Sequence, residues 1–151
     1  MSEPDRPRIT PAAWFLAAAV LGLPVVAAAV AFAAPRLASM QYRSMPVLAV
    51  THLVTLGWGT MVAMGSLNQL LPAAAGVRWL PGRSVRAQFL LYSFGVAVLV
   101  AGFLADVNAL MVAGSGAVVA SVAVFLASAS GVLRRRTRWL SALDFVVAAL
   151  A

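Results

Sequence analysis

Cysteine and lysine are both absent from this 151-residue chain, histidine occurs once, and only four residues are acidic. Without thiols there are no disulfides, no cysteine-held iron–sulfur clusters and no thiolate metal sites within the chain. With one histidine and neither lysine nor cysteine, no serine or threonine can be paired into a nucleophile–base couple. Gly-rich phosphate-binding loops are missing too, and no internal repeat of about 20–50 residues is evident. Charge of either sign is scarce. Charged residues make up 10% of the chain and hydrophobic ones 63%, against about 25% and 45–50% in a soluble domain. That leaves too little polar surface to coat a water-soluble globule, so the chain belongs in a lipid bilayer.

What charge there is comes from arginine. All eleven basic residues are Arg, and the formal net charge is +7. They sit in short loops between apolar runs, as flanking anchors do. They do not form the clustered patch of a nucleic-acid binder, so no nucleic-acid partner is expected.

The fold class that follows is all-α, a polytopic transmembrane helix bundle with four full spans and the start of a fifth. Residues 1–11 read as a disordered cytoplasmic tail, and residues 12–151 as the transmembrane helical domain. Ala12–Ala34 carries no charge; as a helix it spans roughly 34 Å, enough to cross a hydrocarbon core. Pro24 should kink it. The run exceeds the 7–15 apolar residues, roughly, of a signal peptide, so it reads as an uncleaved anchor. Further helices are expected at about 46–71, with Pro46 in the first turn, and at about 87–105 and 109–133. Asp106-Val107-Asn108 is a short turn that makes the last two antiparallel neighbours. A fifth apolar run at 139–151 reaches only about 20 Å as a helix, short of a crossing. The chain therefore reads as ending inside a span, with C-terminal helices or other subunits to complete the assembly; the alternative is a short helix lying at the interface.

Nine of the eleven arginines fall on one side of this arrangement, in the tail, the loop holding Arg78, Arg83 and Arg86, and the stretch Arg134–Arg138. Arg36 and Arg43 lie opposite. The positive-inside rule makes the first side cytoplasmic. Localisation in the cell membrane, inner or plasma, with a cytoplasmic N-terminus is the expectation. Trp14, Trp79 and Trp139 flank the proposed inner interface as an aromatic belt would.

His52 then lies roughly 9 Å below the outer end of the second helix. An ionisable residue within a span is costly and is by default a functional candidate. Neutral imidazole offers one ring lone pair, the form that ligates metals. At about 100° per residue, His52, Thr55, Gly59, Ala63 and Ser66 fall on one stripe of the helix face. All the residues below the imidazole on that stripe are small, which leaves a slot for a flat macrocycle. Small stripes also let helices pack closely, and Gly57, Met61 and Gly65 form a second face of that kind.

Thr51-His52-Leu-Val-Thr-Leu-Gly57-Trp58-Gly59, continuing through Met64-Gly65 to Leu70-Leu71-Pro72, resembles the second transmembrane helix of haem-copper oxidase subunit I homologues. The likeness is to the group that includes the cbb3-type and nitric oxide reductase-like catalytic subunits. It implies that His52 is an axial ligand of a low-spin haem, of b type. With His52 in that role, the small-residue stripe places Thr55, Gly59 and Ala63 beside the ring, and the resemblance implies that electrons pass inward from the outer face in respiration. Outside Thr51–Pro72 only helix number and topology agree. The family's second axial histidine and its three copper-ligating histidines lie on later helices. With its single histidine, this chain cannot form that bis-histidine pair or the copper-containing oxygen-reducing centre. No copper site and no catalytic residue is expected here, and oxidase activity is not assigned to this chain.

Other residues carry weaker signals. Met111, near the outer end of the fourth helix, is a candidate partner for His52 in a His/Met pair of the kind found in cytochromes c. Asn68 and Gln69 read as amides bonding neighbouring helices. Trp58 reads as core packing, and Asp106 and Asn108 as turn residues. Two other classes stay open. One is a cofactor-free structural or regulatory module in which His52 bonds a neighbouring helix. The other is a small transporter or sensor lined by His52, Asn68 and Asp144.

Overall fold

A computed structural model describes residues 11–75 and 82–134. Its elements are α1 (Pro11–Ala38), α2 (Met45–His52), a π-helical segment (Leu53–Thr60), α3 (Met61–Ala75), α4 (Gly82–Ala105) and α5 (Asn108–Arg134). The segment from α2 through the π turns to α3 is one continuous rod. Four helices are long and apolar enough to cross a membrane: Ala13–Ala38, Met45–Leu71, Arg83–Ala105 and Asn108–Gly131. No strand occurs among the described residues. The protein is a bundle of these helices. The N-terminal tail, the loop with Arg78 and Trp79, and the run 139–151 with Trp139 and Asp144 lie outside the described residues.

α1 runs on through both Pro24 and Pro35 to Ala38, beyond its expected end at Ala34. The end is built by a backbone motif rather than by proline. Met40 takes a left-handed conformation, its N–H donates to Leu37 O, and the Gln41 N–H reaches back to Arg36 O. This is the double closure that finishes a helix at a left-handed residue. The α4–α5 turn repeats it, with Asp106 left-handed, its N–H on Phe103 O, and the Val107 N–H on Gly102 O. Aspartate tolerates that conformation because its short polar side chain can bond locally.

Two packing modes hold the bundle. At its centre, Phe15 and Ala19 of α1, Met61 and Met64 of α3, Tyr92 and Val96 of α4, and Val118 and Phe125 of α5 form one apolar cluster. Phe15 and Trp14 both meet the Phe89 ring edge-on, and the Arg86 guanidinium lies over the Trp14 ring. α4 and α5, by contrast, meet backbone to backbone. A Cβ on Gly102 would lie 2.7 Å from the Met111 nitrogen, and one on Gly95 would lie 2.9 Å from the Val118 nitrogen. A Cβ on Gly114 would strike the backbone of Leu99. Such close approach is how apolar helices associate in lipid, where dispersion rather than water drives contact. The second face expected on the Gly57 helix does not serve one neighbour. Gly57 faces Val96 of α4, while Gly65 faces Phe15 and Leu16 of α1.

A candidate metal-ligating groove at His52

The site begins with an irregularity in the helix. Five backbone carbonyls along the rod accept side-chain donors: Val47 from Thr51, Leu48 from His52, Thr51 from Thr55, Thr55 from Thr60, and Leu56 from Tyr92. Hydroxyl donors that bond back to the helix compete with the i→i−4 ladder and bend it. Gly57 and Gly59 weaken the same stretch further. The backbone answers with eight residues of π-helix, Leu53–Thr60. The form is rare and usually a single turn, and it tends to occur at functional sites. The Tyr92 hydroxyl donates to Leu56 O at 3.0 Å, and the Tyr92 ring is wholly buried. Tyr92 is thus the tertiary clamp on this segment. Tyr92→Phe is expected to lower stability by about 1–2 kcal/mol by leaving that carbonyl short of a donor. Hydrogen exchange should then quicken at the amides of the π segment; unchanged protection there would mean the hydroxyl does not clamp it.

The widened turns redistribute the faces. His52 and Leu56 line one groove, of about 410 Å³. Its floor is Leu99 and Phe103 of α4, and its far wall is α5, with Met111, Ser115 and Val118 among its residues. Thr55 is not there. It lines a separate groove of about 210 Å³ against α1, with Ala33, Thr51 and Val54. Ala63 is exposed and Gly59 half-buried, and neither borders the His52 groove. The stripe of His52, Thr55, Gly59 and Ala63 expected from a regular helix is therefore divided, because the backbone does not advance by 100° through the π turns. The slot beside His52 arises instead from the way α4 packs against both α2 and α5 and holds them on either side of it.

The imidazole is held in a defined orientation. Its Nδ1 lies 2.7 Å from Leu48 O. A carbonyl only accepts, so Nδ1 carries a proton; in the neutral ring the lone pair is then on Nε2. The ring stacks on Phe103, with centroids 4.7 Å apart and planes 29° from parallel. An N–H held by a backbone carbonyl is the usual outer support of a metal-ligating histidine. Nε2, which has no partner among the described residues, is thus the available nitrogen of a half-buried ring lining an apolar groove, a donor that fits a metal held in a hydrophobic macrocycle. Met111 shares that groove.

The remaining candidates are placed elsewhere. Asn68 is buried at 4% exposure, and neither of its amide atoms has a partner among the described residues; Gln69 is exposed. Gln88 is likewise buried with its Nε2 unpartnered, while its backbone carbonyl accepts from the Ser121 hydroxyl at 3.0 Å. Trp58 is 39% exposed rather than packed in the core. Asp106 forms the α4–α5 turn, and Asn108 opens α5. Sequence reasoning missed Tyr92, Leu99 and Phe103. The one signal available was that Tyr92 is the sole tyrosine of the third span.

The class these observations define is a helical multi-span membrane protein with one oriented imidazole on an apolar groove. Comparison of the chain with protein-family models, with curated proteins and with solved structures gives no match in any of the three.

Proposed function

We propose that this chain is an integral membrane haem-binding protein in which His52 supplies an axial nitrogen to a b-type haem, serving respiratory electron transfer. The observation that carries the reading is the oriented imidazole, which lines an apolar groove with Nδ1 bonded to Leu48 O and with no hydrogen-bond partner at Nε2 among the described residues. The resemblance of Thr51–Pro72 to an oxidase second helix supports it independently. The group's own chemistry is one-electron transfer. The chain's contribution is to ligate, to orient and to keep water out. His52 donates its Nε2 lone pair. Phe103 and Leu48 O fix the ring plane, and Leu56 and Leu99 supply a dry wall. The proposal includes a cell-membrane location with the N-terminus inside, on the strength of the arginine distribution, and further helices or oxidase subunits as partners.

The rival structural reading has His52 bonding a neighbouring helix, whereas its hydrogen bond goes to its own helix. The transporter reading needs His52 and Asn68 on one path, and Asn68 does not line the His52 groove. Protohaem titrated into the purified chain in detergent is expected to give a saturable Soret band at one haem per chain. A flat titration, with no absorbance beyond that of haem in empty micelles, would sink the reading.

A further inference from the structure

The groove is lined by two candidate iron donors, one from each of two helices that pack against α4. α4 packs against both α2 and α5, and its residues Leu99 and Phe103 form the floor between them. His52 rises from the α2 side, stacked on Phe103. Met111 rises from the α5 side, where its side chain lies over the bare backbone of Gly102; a Cβ on that glycine would come within 3.0 Å of Met111 Cγ. Gly102 is thus what lets this thioether pack close to α4 beside the floor. Of the other side chains lining the groove, only Ser115 carries a polar atom, and its hydroxyl is occupied by Val112 O at 3.0 Å. The rest are apolar. A thioether is a weak hydrogen-bond acceptor but a competent soft ligand, and its flexible stem lets it adapt to what enters the groove.

We infer that Met111 is the second axial ligand, so that the chain completes a His52/Met111 pair without a second histidine. The inference rests on the haem reading above. A bis-histidine site is beyond this chain, whereas a mixed nitrogen–thioether site needs only two residues that already line the same groove. Thioether ligation in place of a second imidazole raises the reduction potential, because the softer sulfur favours the ferrous state. The site is thereby suited to accept electrons from a high-potential donor at the outer face.

The experiment uses the purified full chain in detergent, loaded with protohaem, and three variants: Met111→Leu, which keeps side-chain volume, Met111→His and His52→Ala. Far-ultraviolet circular dichroism checks that each is folded. The parent is expected to show low-spin ferric haem with the weak far-red charge-transfer band of iron–thioether bonding. Met111→Leu should lose that band, turn high-spin and shift to a lower midpoint potential. Met111→His should stay low-spin, with the band gone and the potential also lowered. If Met111→Leu keeps the parent's spin state, band pattern and potential while His52→Ala loses pigment, Met111 is not the ligand and the haem reading stands alone. If the parent takes up no haem, both fall together.

Discussion

Alanine at position 52 is expected to strip the haem-loaded chain of its Soret band. Loss of an outer-shell partner of a metal ligand typically costs about 10–100-fold in metal affinity; loss of the ligating nitrogen should exceed the upper end of that range. The variant should still fold. His52 is only half-buried, its hydrogen bond is to its own helix, and its stacking on Phe103 is worth about 0.5–1.5 kcal/mol by the measure of aromatic pairs. Free imidazole, which matches the volume vacated, should restore the band in His52→Ala and leave the parent unchanged. Thr55→Leu provides the geometric control. Were Thr55 beside the ring, as a regular helix would place it, a leucine there would obstruct binding. Because Thr55 lines the groove against α1, the substitution should leave haem uptake unaltered. A His52→Ala chain with the parent's reduced-minus-oxidised spectrum would refute ligation by this residue.

The second large effect concerns two glycines two positions apart, Gly114 and Gly116. Gly114→Ala is expected to destabilise the bundle by about 3 kcal/mol, at the upper end of what overpacking usually costs. The added methyl would meet the Leu99 backbone and come within 2.8 Å of Gly95 O. Neither is a side chain that can swing aside, so α4 and α5 must separate along the contact that also sets the floor and far wall of the groove. Gly116→Ala should be neutral or stabilising by up to about 1 kcal/mol, since a Cβ there meets nothing within 4 Å and alanine favours the helix. Reversible unfolding in mixed detergent micelles measures both. Equal responses at the two positions would mean that α4 and α5 do not pack face to face at Gly114.

Much of the architecture is written in local pattern. The apolar runs are long, the arginines punctuate them, and Asp106-Val107-Asn108 is too short to do anything but turn the chain back. These features depend only on residues near one another, and lipid tolerates no spanning alternative to a helix with its backbone bonds satisfied. His52 stands out for the same reason, as the one ionisable side chain in the second span. What surrounds it was far less legible. Helical periodicity assumes a uniform rise and twist, and Leu53–Thr60 departs from both. The threonines and glycines of Leu-Val-Thr-Leu-Gly-Trp-Gly-Thr weaken a regular helix but do not specify π geometry, because part of its cause is the Tyr92 hydroxyl, 36 residues further along the chain.

The residues alone therefore determined that this protein is a set of membrane-length helices with a single imidazole near one end of the second. Hydrophobic length and charge placement act locally, so they survive without any knowledge of neighbours. Tertiary structure decided which side chains share a groove with that imidazole. It set Thr55 toward α1, brought Leu56 and Met111 to one groove, and stacked Phe103 against the ring. Those outcomes depend on how closely α4 approaches α5 through Gly95, Gly102 and Gly114, and on a hydrogen bond from one helix into the backbone of another. Both are contacts between distant parts of the chain, and only packing brings them together.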